Sequence, residues 1–548
     1  MILIISNSTK SQNAFLDEIN LLNSIRDFDL NDSVNKIKGS YLIKSTSTFQ
    51  NQYFKQKSKF NLIYNYDFVN NTLLPENWND GIMFPSRGWQ ERHTIGASLK
   101  FKFIDINYQP ELLKVQNLQQ EYYPGNPEDG NFMPKYFGSV ANVIDNYRQF
   151  GSQLIDTISL GQSRLGFIFN PLSFGISNEN FWWGPGKRNS LIFTNNASGF
   201  KHYYLNTIKP IYTSIGDFEF SAISGILDTN WYQDPDIPLM KKIWSGGIAN
   251  KNLDQRRIDA FTLNWKIKWI PDLYIGYAYS RQYYKNQLNQ FGNKYTFFSK
   301  DFYKQEHGSI MFRLVFPKET AELYGEIGIQ GNSAWPWKFF KTNIRPGYVF
   351  GFTKNSRFFN SKYFLSLNFE ATQLQLMNPK DLFYPDFPFV GGLFNSWYTD
   401  YNIKQGYTNQ GQLMASSIGP GSNMQSISFS LNRNFSKIGF HIERIEQNKD
   451  FMYIVYYNGR NGQFINGGQK WGYYNKYWVD ISTKIFFQIQ PIKSLFISGS
   501  VMNTDAYNYR WIKFLERGKK YDESSSLTDK FNVQFQLSLK YLLHAKFQ

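Results

Sequence analysis

Cysteine is missing from the whole chain, which excludes a disulfide framework and fits an exported protein whose order comes from a closed sheet. Long apolar runs are missing too. Nothing approaches the roughly 18 residues that a transmembrane helix needs, and mean hydropathy is −0.47. Histidine is scarce: His93, His202, His307, His441 and His544 lie far apart, and none falls in a metal spacing such as H-E-x-x-H. The serine-hydrolase elbow is incomplete, because Gly161-Gln162-Ser163-Arg164-Leu165 lacks its second glycine. Gly184-Pro185-Gly186-Lys187 fails the spacing of a phosphate loop, and Arg188 stands where a hydroxyl residue should follow the lysine. The expectation is a non-enzymatic protein with no cofactor and no metal; catalysis would need a Ser/His or Asp/His pair assembled across strands. The net charge of +16 raises nucleic acid as a partner. Here the basic residues are scattered through aromatic, alternating segments rather than gathered into arms or stripes, so no nucleic acid is expected.

Aromatic residues are what the chain holds in excess: 51 Phe, 37 Tyr and 14 Trp, 19% of the whole. A soluble protein has no easy place for so many rings, whereas a membrane barrel uses them on its lipid face and in girdles at both interfaces. The last segment carries the matching pattern. Phe531, Val533, Phe535, Leu537, Leu539, Tyr541, Leu543, Ala545 and Phe547 alternate with Asn532, Gln534, Gln536, Ser538, Lys540 and His544. Period two makes one face apolar and one polar, over more than the about 9–11 residues a membrane strand requires. Upstream, Phe261, Leu263, Trp265, Ile267 and Trp269 alternate with Thr262, Asn264, Lys266 and Lys268. Pro271-Asp272 then reverses the chain, and Leu273, Ile275, Tyr277 and Tyr279 resume the pattern.

Other tight reversals fall at Gly216-Asp217, Pro317 to Thr320, Ser436-Lys437 and Gln490 to Ser494. Longer connections cover 69–92, 114–156, 178–202, 229–255, 284–306, 331–345, 374–423, 448–475 and 504–528. Short turns alternating with long loops predict an all-β fold: a transmembrane, antiparallel outer-membrane β-barrel of about eighteen strands, turns in the periplasm and loops facing the cell exterior. The polar phase of the strands points Lys100, Lys102, Lys266, Lys268, Arg313, Lys540, Glu219, Glu322, Glu326, Glu370 and Glu443 into the lumen, as charge-paired networks. The remaining positive charge falls on loops, including Arg87, Arg92, Lys187, Arg188, Lys241, Lys242, Arg256 and Arg257. Residues 1–14 read as the remnant of an export signal. Residues 15–58 read as a small periplasmic helical segment, with Leu16, Ile19, Leu22 and Ile25 near helical spacing, and 59–548 as the barrel.

Two loops are unusually rich. In the first, Trp182 and Trp183 offer flat apolar faces, and Arg188, Asn189, Asn195 and Asn196 supply directional hydrogen bonds. In the second, Trp397, Tyr398, Tyr401, Gln405 and Tyr407 repeat the mixture. Sugars are bound this way, by an aromatic plate against C–H faces with amides and guanidinium reading hydroxyls and carboxylates. These residues form the candidate glycan site, and strand parity puts both loops on the same rim. The bland alternative is an interfacial anchor and a turn that folds into the barrel mouth and plugs it; one surface could serve as both.

Ser177 to Phe200, "SNENFWWGPGKRNSLIFTNNASGF", resembles the central motif of the Wzi-type capsule assembly family in its Bacteroidetes form. Three further stretches agree with that family and follow its order: "NWNDGIMFPSRGW" at 77–89, "LGQSRLGF" at 160–167 and "SWYTDYNIKQGYTNQGQLMASSIGPGSN" at 396–423. Ser198 stands where the family often has proline, and Asp400 where histidine is common. The resemblance implies an eighteen-stranded outer-membrane barrel of a Gram-negative bacterium with a periplasmic helical bundle. It also implies a lectin-like, non-enzymatic role in binding and organising capsular or other surface polysaccharide, acidic glycans included. The other partners expected are outer-membrane lipid and lipopolysaccharide, and the chain is expected to be a monomer. The alternatives are a channel or transporter for a small solute and, behind it, an outer-membrane hydrolase.

Overall fold

Alternating segments cannot bury their apolar face alone, and sheet edges must pair or close. In the computed structural model they close into one antiparallel barrel. The structure describes residues 18–31, 39–45, 58–76, 78–120, 143–145, 153–228, 254–290, 303–331, 334–340, 346–358, 362–376, 396–451, 457–458, 463–464, 477–492, 494–511 and 528–545. The export-signal reading of 1–14, Phe547, Lys241 and Lys242 lie outside the described residues.

The barrel has eighteen strands. In chain order they begin with β1 (Ser58–Asn71), β2 (Gly88–Phe101), β3 (Ile104–Tyr108 with Glu111–Val115), β4 (Ile155–Ser159 with Arg164–Phe169), β5 (Leu172–Ser177) and β6 (His202–Thr207 with Ile211–Thr213). There follow β7 (Gly216–Leu227), β8 (Arg256–Ile267), β9 (Leu273–Tyr284), β10 (Gln305–Phe316), β11 (Ala321–Gly331) and β12 (Pro346–Arg357). The last are β13 (Phe364–Gln373), β14 (Asn423–Arg433), β15 (Ser436–Glu446), β16 (Val479–Ile492), β17 (Leu495–Tyr507) and β18 (Lys530–Ala545). Pro110 and Pro210 interrupt β3 and β6, since proline has no N–H to give the ladder. The C-terminal strand closes the ring against β1, in a register that sets Tyr64 opposite Tyr541 and Asn71 opposite Gln534.

Alternation decides the two faces. On β18, Phe531, Phe535 and Tyr541 are exposed outward, whereas Asn532, Gln534 and Lys540 are buried inward. On β8, Leu263 is exposed and its neighbours Thr262 and Asn264 are buried. Exposed apolar side chains recur around the outer wall, among them Leu62, Ile95, Phe174, Phe350, Phe429 and Ile485. Two of the reversals come earlier than expected, because Gly216 and Ser436 already pair in the strands that follow. The strands expected to carry Lys102 and Lys268 end at Phe101 and Ile267, so both lysines sit exposed in short turns rather than in the lumen. The other end of the barrel carries the long connections.

Helix α1 (Glu18–Asn31) sits in the turn-side mouth. Asn355 Nδ2 donates to the Asp27 carbonyl (2.7 Å), Arg357 to the Asn31 carbonyl (2.7 Å) and Lys437 to Ser24 Oγ (3.1 Å), all from the turn ends of strands. Among the described residues it is the only helix before the barrel. The chain then rises inside the lumen, where Ile43–Ser45 pairs antiparallel with Phe181–Trp183.

Candidate functional site

The loop between β5 and β6 drops into the barrel and meets this N-terminal segment. Gly184 N–H donates to the Leu42 carbonyl (2.8 Å), and Lys44 Nζ donates to the Gly186 carbonyl (2.6 Å) while lying 4.8 Å from the centre of a Trp182 ring. Burial of Lys44 pushes its ammonium well below the usual lysine range. Trp182 and Trp183 have 0% exposure, so neither shows a face to solvent.

Lumenal carboxylates anchor the same loop. The amides of Lys187, Arg188 and Asn189 donate to Glu370 at 2.7, 3.1 and 2.8 Å, and Tyr324 Oη adds a fourth donor at 3.0 Å. Successive amides make an anion-binding concavity, and here the anion is the barrel's own side chain. Glu326 accepts from Leu191 N–H and Ser190 Oγ, each at 3.1 Å. Glu443 pairs with Arg188 at 2.8 Å. Glu322 lies between Arg26 of α1 (3.0 Å) and Arg313 (2.8 Å), and Lys187 also pairs with Asp27. The expected lumenal network of both signs is present, and it binds the plug to the wall.

The four motif stretches converge in space. Asn79 Nδ2 donates to the Arg188 carbonyl (3.0 Å), Asn195 Nδ2 to the Asn79 carbonyl (2.9 Å), and Arg164 to Glu179 (2.7 Å). Tyr398 Oη donates to the Leu191 carbonyl (3.2 Å), Asn196 Nδ2 to the Leu413 carbonyl (2.9 Å), and Ser416 Oγ to Asn189 Oδ1 (2.8 Å). Both rich loops are therefore one packed unit. Trp397, Tyr398 and Tyr407 have 0% exposure; Tyr407 Oη donates to Ser280 (2.8 Å), and Gln405 Oε1 accepts from Tyr284 (2.6 Å). Of the candidate residues only Tyr401 stands exposed at the rim, at 40%. Ser198 donates to Gln410, and Asp400 caps the Asn402 and Ile403 amides at 2.8 Å.

Trp78 was not among the candidates. It lies between two cations, 4.2 Å from the Arg188 guanidinium and 4.2 Å from Lys484 Nζ. Its place in the 77–89 stretch was the available signal. Among the described residues no group of three or more His, Asp or Glu could hold a metal ion.

A closed barrel with an apolar outer wall, a polar ion-paired lumen and short turns opposite long loops is an outer-membrane β-barrel. The chain belongs to the capsule assembly protein Wzi family, whose model matches residues 115–494. No curated protein sequence matches it. Among solved structures it is similar to Wzi of Escherichia coli, an outer membrane protein involved in group 1 capsule assembly and described as a carbohydrate binding β-barrel. That likeness has a TM-score of 0.57 at 11% identity and covers 94% of this chain and 97% of that one. Acinetobacter baumannii OccAB2 (TM-score 0.40, 10% identity, 89% and 98% covered) and Pseudomonas aeruginosa OprD (0.37, 8%, 90% and 95%) are too distant to carry any argument.

Proposed function

We propose that this barrel binds and organises capsular or other surface polysaccharide at the cell surface, without transforming it. The observation that carries the reading is the junction of the two glycan-like loops: lumenal carboxylates hold residues 187–189 of the first, and Tyr398, Leu413 and Ser416 of the second bond to it, so the two loops form one packed unit that carries Tyr401. Membership of a capsule assembly family supports it, as does the carbohydrate binding described for the Escherichia coli relative. In this reading Tyr401 is a contact residue, and Trp182, Trp183, Arg188, Asn189, Asn196, Trp397, Tyr398, Gln405 and Tyr407 are positioning residues. Asn195, half-buried and bonded to the 72–87 loop, stands between the two groups. The net charge of +16 favours an acidic glycan.

The test is deletion of the gene in a capsulated strain, with wild-type or Tyr401→Ala protein restored. Deletion is expected to move glycan from the cell surface to the medium, with Tyr401→Ala intermediate at equal levels of folded barrel. An unchanged capsule after deletion overturns the function; full retention with Tyr401→Ala overturns the contact role.

A further inference from the structure

The turn Gly184–Asn189 is held from two directions. Glu370 holds its amides from the wall, and the N-terminal segment holds its carbonyls from the turn side of the barrel. Arg26 of α1 donates to the Pro185 carbonyl and Asn23 Nδ2 to the Lys187 carbonyl (3.3 Å). Lys44 donates to the Gly186 carbonyl (2.6 Å) and to Asn23 Oδ1 (3.3 Å). Lys187 Nζ is shared: it pairs with Asp27 of α1 and lies 3.7 Å from Glu322 of β11. From the same turn the bonding runs on to the rim. Arg188 donates to Ser417 (2.7 Å), and the Leu191 carbonyl accepts from Tyr398, three residues before Tyr401.

We propose that α1 is a releasable arm, through which the periplasmic side sets the position of the plug and of the rim that the plug carries, with Asn23 and Asp27 as positioning residues. A chain of contacts couples two sites only where an element in it has two states. Helix α1 is such an element. Isolated helices shorter than about 12–15 residues are marginal in water; α1 has 14, and Asn23, Ser24, Asp27, Asp29 and Asn31 are poor helix formers. Its helicity therefore depends on docking. Release strands no buried charge, because Glu322 keeps Arg313 at 2.8 Å and Lys187 stays within reach of it. Docked, Lys187 is drawn toward Asp27; undocked, it is left to Glu322, and the amides of 187–189 move with it. The inference rests on the glycan reading only for what the rim binds.

Asn23→Ala combined with Asp27→Ala cuts side-chain bonds between α1 and the turn. It spares those that seat α1 on the wall: Arg26 with Glu322, Lys437 with Ser24, and the strand donors to the Asp27 and Asn31 carbonyls. The chain has no cysteine, so Asn402→Cys, exposed beside Tyr401, takes a single fluorophore on the rim. The full-length double variant is expected to keep wild-type hydrogen-exchange protection in α1, to lose it at 187–189, and to lower the anisotropy of the label at 402. Asp27→Glu alone should behave as wild type. Without the label, affinity of the double variant for capsular polysaccharide purified from the same strain should fall at least about fivefold, the low end of ordinary coupling between sites. Coupling is reciprocal, so the polysaccharide should slow exchange in α1 of the wild-type protein. Wild-type protection at 187–189 in the double variant overturns the proposal, whether or not α1 stays protected. So does a loss there that leaves the label unchanged. Polysaccharide that binds neither protein removes the glycan reading alone, because exchange and anisotropy report the arm without ligand.

Discussion

A carboxylate buried in a barrel lumen persists only where donors replace its water. Arg188 and Glu443 form such a pair, and the sequence pattern had suggested Arg188 as a reader of glycan carboxylates. Arg188→Ala leaves Glu443 without its guanidinium and is expected to destabilise the plugged state by about 3–5 kcal/mol. The readout is faster hydrogen exchange across 184–200 with the barrel still folded; unchanged exchange with lost glycan binding would make Arg188 a direct contact instead. Asp450 offers a second residue-scale test. It accepts from the Leu376 amide (3.0 Å) and Ser396 Oγ, and burial pushes it up to about 7 despite the neighbouring Lys449. Burial likewise pushes Asp400 up to about 6. A raised carboxylate stabilises the fold below its ordinary range, and the contribution is lost as pH rises through the folded value. Exchange protection at 374–376 and 396–403 should therefore be greater at pH 5 than at pH 8, and Asp450→Asn should flatten the profile. Equal protection at both values contradicts this.

Elements act here through close backbone approach. In the turn Gly184–Asn189 a Cβ on Gly186 would lie 1.8 Å from the Asn189 carbonyl oxygen. Gly186→Ala must therefore open the turn and pull the amides of 187–189 off Glu370. The expected result is loss of exchange protection at those amides, while the β18–β1 seam stays protected. Protection retained at 187–189 would contradict the nest. The same turn shows what composition can conceal. Gly-Pro-Gly-Lys fails as a phosphate loop by spacing, yet its amides do cradle an anion, one supplied by a strand 181 residues away. Spacing rules see neighbours along the chain; the partner came from β13.

At the scale of the molecule, α1 bonds to strand ends in the turn-side mouth, residues 43–45 pair with Phe181–Trp183 inside the barrel, and the two rich loops pack onto that segment and the lumenal wall. Wild-type protein in planar bilayers is expected to show no steady conductance, and removal of residues 18–45 to produce one. A large steady conductance from the intact chain would favour a channel and remove the plug from the functional account.

The strand pattern was legible because side-chain alternation is local: Phe531 to Lys540 declare their two faces without reference to any other part of the chain. The order of short and long connections was legible for the same reason, and it determined the barrel, its closure and which end carries the loops. Chemical type also marked the important loops, since Trp182, Arg188, Trp397 and Tyr407 all belong to the packed unit. Only the tertiary structure decided which way those loops point. The 177–200 stretch is held inside the lumen because Glu326, Glu370 and Glu443, on three different strands, need donors that water no longer supplies, and the other three stretches pack against it. Three-dimensional closure thus turned most of the expected contact residues into supports, and left Tyr401 as the candidate ring still facing the surroundings.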